Sequence, residues 1–224
     1  MLLSRLSIYG AWLLALLMSW AGQAAGGELE ARLRTAAAGG DAREVAALLA
    51  QGADMEARDR QGRTPLLIAT HHNQVAAARV LIEAGADVNA KDNISDSPYL
   101  YAGARGHNEI LRLTLAHGAD LASLNRYGGT ALIPAAERGH VDTVRLLIDA
   151  GVDLDHINRL HWTALMEAIV LGRGGAEHTE IVRLLVEAGA DPNIADADGI
   201  SPLRHARQRG YAAMVLILER AGAR

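Results

Sequence analysis

The chain has 224 residues, 50% of them hydrophobic and 21% charged, with a formal charge of −4. That balance fits a folded chain, and its mild acidity argues against a general nucleic-acid binder, which normally carries a clear basic face. Cysteine is absent, which excludes a disulfide framework, a thiolate zinc site and a cysteine nucleophile.

Residues 1–24 read as a secretory signal peptide. Arg5 precedes the apolar stretch Ala11–Trp20, and Gly22–Ala24 offers a small-x-small cleavage site. The apolar core is shorter than the roughly 20 residues a membrane span wants. An uncleaved anchor facing the periplasm is the alternative.

Beyond the leader the chain repeats. Gly52, Gly85, Gly118, Gly151, Gly189 and Gly222 each follow a Leu-rich stretch, at spacings of 33, 33, 33, 38 and 33. Around them recur "LLAQGAD", "LIEAGAD", "TLAHGAD", "LIDAGVD", "LVEAGAD" and "LERAGAR". A second turn residue follows: Gly62, Ser95, Gly128, His161 or Gly199. Two residues later Thr64, Ser97, Thr130, Thr163 and Ser201 are expected to cap a short helix, because a hydroxyl accepts from an orphan backbone amide. Pro65, Pro98 and Pro202 then sit at the first helical position, where a missing N–H costs nothing. A second helix is expected after each, with apolar residues three and four apart, as in Val144, Leu147 and Ile148. One such unit cannot bury its apolar face alone, whereas stacked units share a continuous core.

The pattern D-x-x-G-x-T-P-L-x-x-A, followed by G-H-x-x-x-V-x-x-L-L-x-x-G-A-D, resembles the ankyrin repeat and covers residues 28–224. The resemblance implies a mainly all-α solenoid of helix–turn–helix units joined by β-turn or hairpin connectors. It divides residues 25–224 into an N-terminal cap (28–57), units at 58–90, 91–123, 124–156 and 157–194, and a C-terminal cap (195–224). The family's His after "TPL" is replaced by Leu67, Leu100, Ile133, Met166 and Arg204, so its hydrogen bond to the turn is expected to be missing throughout. The 38-residue interval places five extra residues at 172–176, as a longer connector between two helices of one unit.

No constellation for catalysis emerges. Asp54, Asp87, Asp120, Asp153 and Asp191 recur once per unit, as turn residues do. His71 and His72 are adjacent and point roughly 100° apart on a helix, so they do not pair on a metal. Neither metal nor cofactor is expected.

By family analogy the turn tips and the outward side of the first helices form a concave recognition surface. The candidate partner-binding residues are Arg60, Ile94, Tyr101, Arg126, Tyr127, Arg159, Leu160 and Trp162. Apolar, aromatic and Arg side chains on neighbouring tips have the composition of a protein hot spot. Ile68, His71, Pro134, Glu167 and His205 are expected on the same exposed face. The reading is a non-catalytic, monomeric scaffold in the bacterial periplasm that binds another protein, with no nucleic acid and no membrane after cleavage. The alternatives are an immunity or inhibitor protein against an exported toxic enzyme and, from another class, a hydrolase or metal-dependent enzyme.

Overall fold

The structure, a computed structural model, describes residues 27–224. The expected signal peptide at 1–24 lies outside the described residues. Among those residues there is no strand, and no helix is long and apolar enough to cross a membrane.

The helices come in antiparallel pairs. Residues 27–39 (α1) and Ala42–Ala50 (α2) form the first pair. Then follow Pro65–His71 (α3) with Val75–Glu83 (α4), and Pro98–Arg105 (α5) with Asn108–Ala116 (α6). Leu132–Glu137 (α7) pairs with Val141–Asp149 (α8), and Ala164–Val170 (α9) with Ala176–Glu187 (α10). Pro202–Gln208 (α11) and Ala212–Arg220 (α12) end the array. The first helices stack in one row, α3 on α5 on α7 on α9 on α11, and the second helices from α2 to α12 stack in another. Between the rows lie Leu66, Leu81, Leu111, Leu132, Leu147, Leu165 and Leu185, all essentially without exposure. Each such side chain contributes about 1.5–3 kcal/mol when fully buried.

Four of the five expected caps form. The hydroxyls of Thr64, Ser97, Thr163 and Ser201 accept from the amides of Leu67, Leu100, Met166 and Arg204 at 3.2–3.3 Å. Thr130 does not cap: α7 starts two residues later and the Thr130 Oγ1 is buried without a partner. Pro134 explains the difference. In the other units the equivalent amide donates to the cap residue's carbonyl, as Ile68 does to Thr64 and Tyr101 to Ser97, and proline has no N–H to give.

Each tip is built around one side-chain oxygen. Oδ1 of Asp59 accepts from the amides of Gln61 and Arg63; Oδ1 of Asp92 accepts from those of Ile94 and Asp96. Asn125, Asn158 and Asp196 do the same in their own units. Backbone bonds close the same loop, for example Asp92 N to Asp96 O and Ser95 N to Asp92 O. The turn needs a left-handed residue. Gly62, Gly128 and Gly199 supply it, and Ser95 and His161 adopt it at φ 66° and 60°. The connectors are therefore side-chain-braced turns rather than paired strands.

The expected loss of the helix-to-tip bond is corrected in two units. One position beyond the missing His, Glu167 Oε1 accepts from Asn158 Nδ2 at 2.7 Å, and His205 Nε2 meets Asp196 Oδ2 at 2.6 Å. The carboxylate and imidazole restore the tie from the next place on the helix.

Of the five extra residues, 172–175 connect α9 to α10 and Ala176 opens α10, which has 12 residues where α4, α6, α8 and α12 have 9. The connector is pinned. Tyr211 Oη donates to the Gly172 carbonyl at 3.3 Å, and a Cβ at Gly174 would lie 2.4 Å from the Tyr211 ring. A Cβ at Gly172 would lie 1.9 Å from the Ala168 carbonyl oxygen, so only glycine fits.

A second set of bonds ties neighbouring units. The amides of Asp87, Asp120, Asp191 and Arg224 donate to side-chain oxygens of Glu56, Asn89, Asp155 and Asn193 in the preceding unit, at 2.8–2.9 Å. The corresponding residue opposite Asp153 is Ala122, which has no acceptor and is exposed. Ala122→Asn is expected to add the missing bond and raise stability by about 0.5–1 kcal/mol, read as a higher urea midpoint at unchanged slope.

Burial pushes the Glu167 carboxyl up to about 7, against the opposing hydrogen bond from Asn158. Its Oε2 is buried with no partner. The folded state thus holds this proton to higher pH than the unfolded chain does, so the group favours folding below about pH 4.5 and loses that contribution as pH rises through about 7. Glu167→Gln is expected to flatten this decline and gain roughly 2 kcal/mol over the parent at pH 8, with little difference at pH 4. Thermal melts at the two pH values test it.

Candidate functional site

The tips and the first helices enclose a cleft of about 290 Å³, centred on the units of α5, α7 and α9. Its rim carries Tyr101, Arg126, Tyr127 and Leu160, four of the eight residues expected at a binding surface. Leu171, just after α9, joins them. At the same tips, Ile94, Arg126 and Arg159 line a second, more open hollow together with Ile157. Arg60 and Trp162 line neither: Arg60 sits exposed on the first tip, and Trp162 is half-buried with its backbone tied to Asn158.

The apolar part of this surface is open. Tyr127 is 61% exposed, Leu160 54%, Leu171 48% and Ile94 47%. Of the large apolar side chains exposed among the described residues, Leu216 on α12 is the one that lies away from these tips and this cleft. Leu171 and Ile157 were not singled out in the sequence, because neither stands at a tip apex and nothing in their type distinguishes them from core residues.

The arginines are less free than a row of charges would suggest. Arg126 stacks over the Tyr127 ring at 5.5 Å and lies 3.7 Å from Asp96. Arg159 donates to the Arg126 carbonyl at 2.8 Å. They order the tips against one another as well as charging them. The backbone adds rungs between tips, with Asn93 N donating to Gln61 O and Arg159 N to Tyr127 O, both at 3.0 Å.

The expectation that Ile68, Pro134, Glu167 and His205 face outward is corrected: all four are buried. They occupy equivalent places on the first helices, directly beneath their own tips, as the Glu167–Asn158 and His205–Asp196 bonds show. Tyr101, at the same place in its unit, stays partly open because its ring stacks on His71 with centroids 3.9 Å apart. Arg105 lies over the same ring at 5.3 Å.

His71 meets groups that its own unit does not contain. Asp92 and Asp96, on the next tip, bring carboxylate oxygens to within 4.8 Å of its ring nitrogen and of each other. Burial holds the imidazole neutral and pushes its pKa down to about 4, with the Arg63 guanidinium adding to the effect. Burial likewise raises Asp96, with Asp92 adding to the rise and Arg126 opposing it. A search of the sequence for paired histidines misses this grouping, since it forms across a 33-residue repeat rather than along one helix.

Comparison with known proteins agrees with the architecture. The family model for ankyrin repeats (3 copies) matches residues 13–92 and 99–196. The crystal structure of an ankyrin repeat domain (ABAYE2397) from Acinetobacter baumannii AYE is 61% identical, with a TM-score of 0.84 over 86% of this chain and 98% of that one. The ankyrin repeat protein EF0377 is 45% identical, with a TM-score of 0.81 over 85% of this chain and 97% of that one. Among curated proteins, YahD of Escherichia coli (strain K12), itself described as an ankyrin repeat protein, is 47% identical over 57 residues. That match covers 25% of this chain and 28% of YahD. With the family model spanning most of its length and the stacked helix pairs in place, the chain belongs to the ankyrin-repeat family.

Proposed function

We propose that this protein is a non-catalytic scaffold of the bacterial periplasm that binds a protein partner through its tips and concave cleft. The observation that carries the reading is the clustering of Ile94, Tyr127, Ile157, Leu160 and Leu171, each close to half exposed or more, on three adjacent units. Exposed apolar groups rimmed by arginines mark interaction surfaces, and aromatic and Arg anchors dominate their energetics. Ankyrin-repeat domains in general bind proteins, which accords with this surface. The export assignment rests on the leader-like residues 1–24 alone. Arg126 and Arg159 add positive charge to the rim, which favours a partner with acidic groups next to an apolar anchor.

The test is affinity capture from periplasmic extract with the parent chain and with a Tyr127→Ala, Leu160→Ala variant, quantified by mass spectrometry. Truncating two exposed anchors is expected to reduce recovery of the partner about tenfold or more. The melting temperature should stay within a degree or two, because neither side chain belongs to the core. Equal recovery of the same proteins by both chains, or a large loss of stability in the variant, would overturn the assignment of these residues.

A further inference from the structure

His71 ends α3, and its Nε2 is buried with no hydrogen-bond partner. Stacking on Tyr101 fixes the ring, so the nitrogen is not free to turn to solvent. Asp92 and Asp96 are each 9% exposed, and each brings a carboxylate oxygen to within 4.8 Å of a ring nitrogen of His71. Asp92 Oδ1 accepts from two tip amides, and its second oxygen takes no part in that turn. Nearby guanidiniums are directed elsewhere: Arg63 pairs with Asp59 at 2.7 Å and Arg105 lies over Tyr101. Arg126 touches the group directly, at 3.7 Å from Asp96.

Two adjacent, nearly buried carboxylates repel one another, and a buried lone pair without a donor carries a desolvation cost. A divalent cation relieves both. We propose that His71, Asp92 and Asp96 bind one divalent transition cation, of the zinc or manganese type, at the joint between the α3–α4 unit and the α5–α6 unit. One imidazole nitrogen with two carboxylate oxygens suits these ions better than magnesium or calcium, which take oxygen ligands almost throughout. Three protein ligands leave open positions for water or for a group from a bound partner. Asp96 also lines the concave cleft, so such a position opens toward the recognition surface. This site stands independently of the partner-binding residues above.

The experiment uses the full chain, purified without a histidine tag and stripped with chelator. Equilibrium dialysis against Zn²⁺, and separately Mn²⁺, is expected to show one saturable equivalent of at least one of these ions, accompanied by a rise in melting temperature. His71→Ala and Asp96→Asn should each weaken binding by at least about tenfold. Asp92→Asn is the discriminating variant. Asn125 and Asn158 brace their tips with an amide oxygen, so an asparagine at 92 keeps the tip and removes the ligand charge. Loss of binding in a variant that melts like the parent supports the site. Absence of a saturable equivalent in the parent, or undiminished binding in all three variants, overturns it.

Discussion

One side-chain oxygen per unit holds this molecule in shape. On Asp59, Asp92, Asn125, Asn158 and Asp196 it gathers two backbone amides that no helix or strand would otherwise satisfy. Tips with no internal ladder would leave those amides to water and the loops without a fixed form. Once braced, each tip presents its apex residue at a set place and offers its backbone to the next tip. The exposed Tyr127 and Leu160 are held on such frames. A rigid frame lets an apolar group stay in solvent without folding back onto its own loop, and it lowers the ordering cost when a partner covers it.

The same frames govern the electrostatics of the concave face. The position beneath each tip carries Ile68, Tyr101, Pro134, Glu167 or His205, and its chemistry decides what the unit does there. His205 meets a carboxylate and is satisfied, whereas Glu167 meets an amide that satisfies one oxygen and leaves the other unpaired. Pro134 removes a hydrogen bond and delays its helix, and Tyr101 reaches back to clamp His71. A near-uniform backbone thus supports a non-uniform face, through one variable place per repeat.

Much of the fold was legible in the sequence because glycine spacing, hydroxyl caps and prolines at the first helical position are local signals. The stacking of units follows from them, since an amphipathic pair has nowhere else to bury its apolar side. Two kinds of information were not legible. The first is helix phase: a shift of one residue separates Leu67, facing the core, from Ile68, lying under the tip, and the sequence alone suggested that the second was exposed. The second is contact across the repeat. Nothing near His71 in the chain announces Asp92 and Asp96, and nothing near Gly172 announces Tyr211. In the candidate surface, Tyr127, Leu160 and Ile94 were readable as out-of-place apolar residues at apices. Leu171 and Ile157 became recognisable once exposure was known.

The brace between Tyr211 and the loop at Gly172 makes two distant positions interdependent. Shortening that loop to the common length would strand a phenolic hydroxyl, and replacing the tyrosine would uncover a glycine-rich bend with no lid of its own. A departure from the common length at one layer is therefore stitched to the chemistry of the layer above it. A substitution at either place changes the packing at the other.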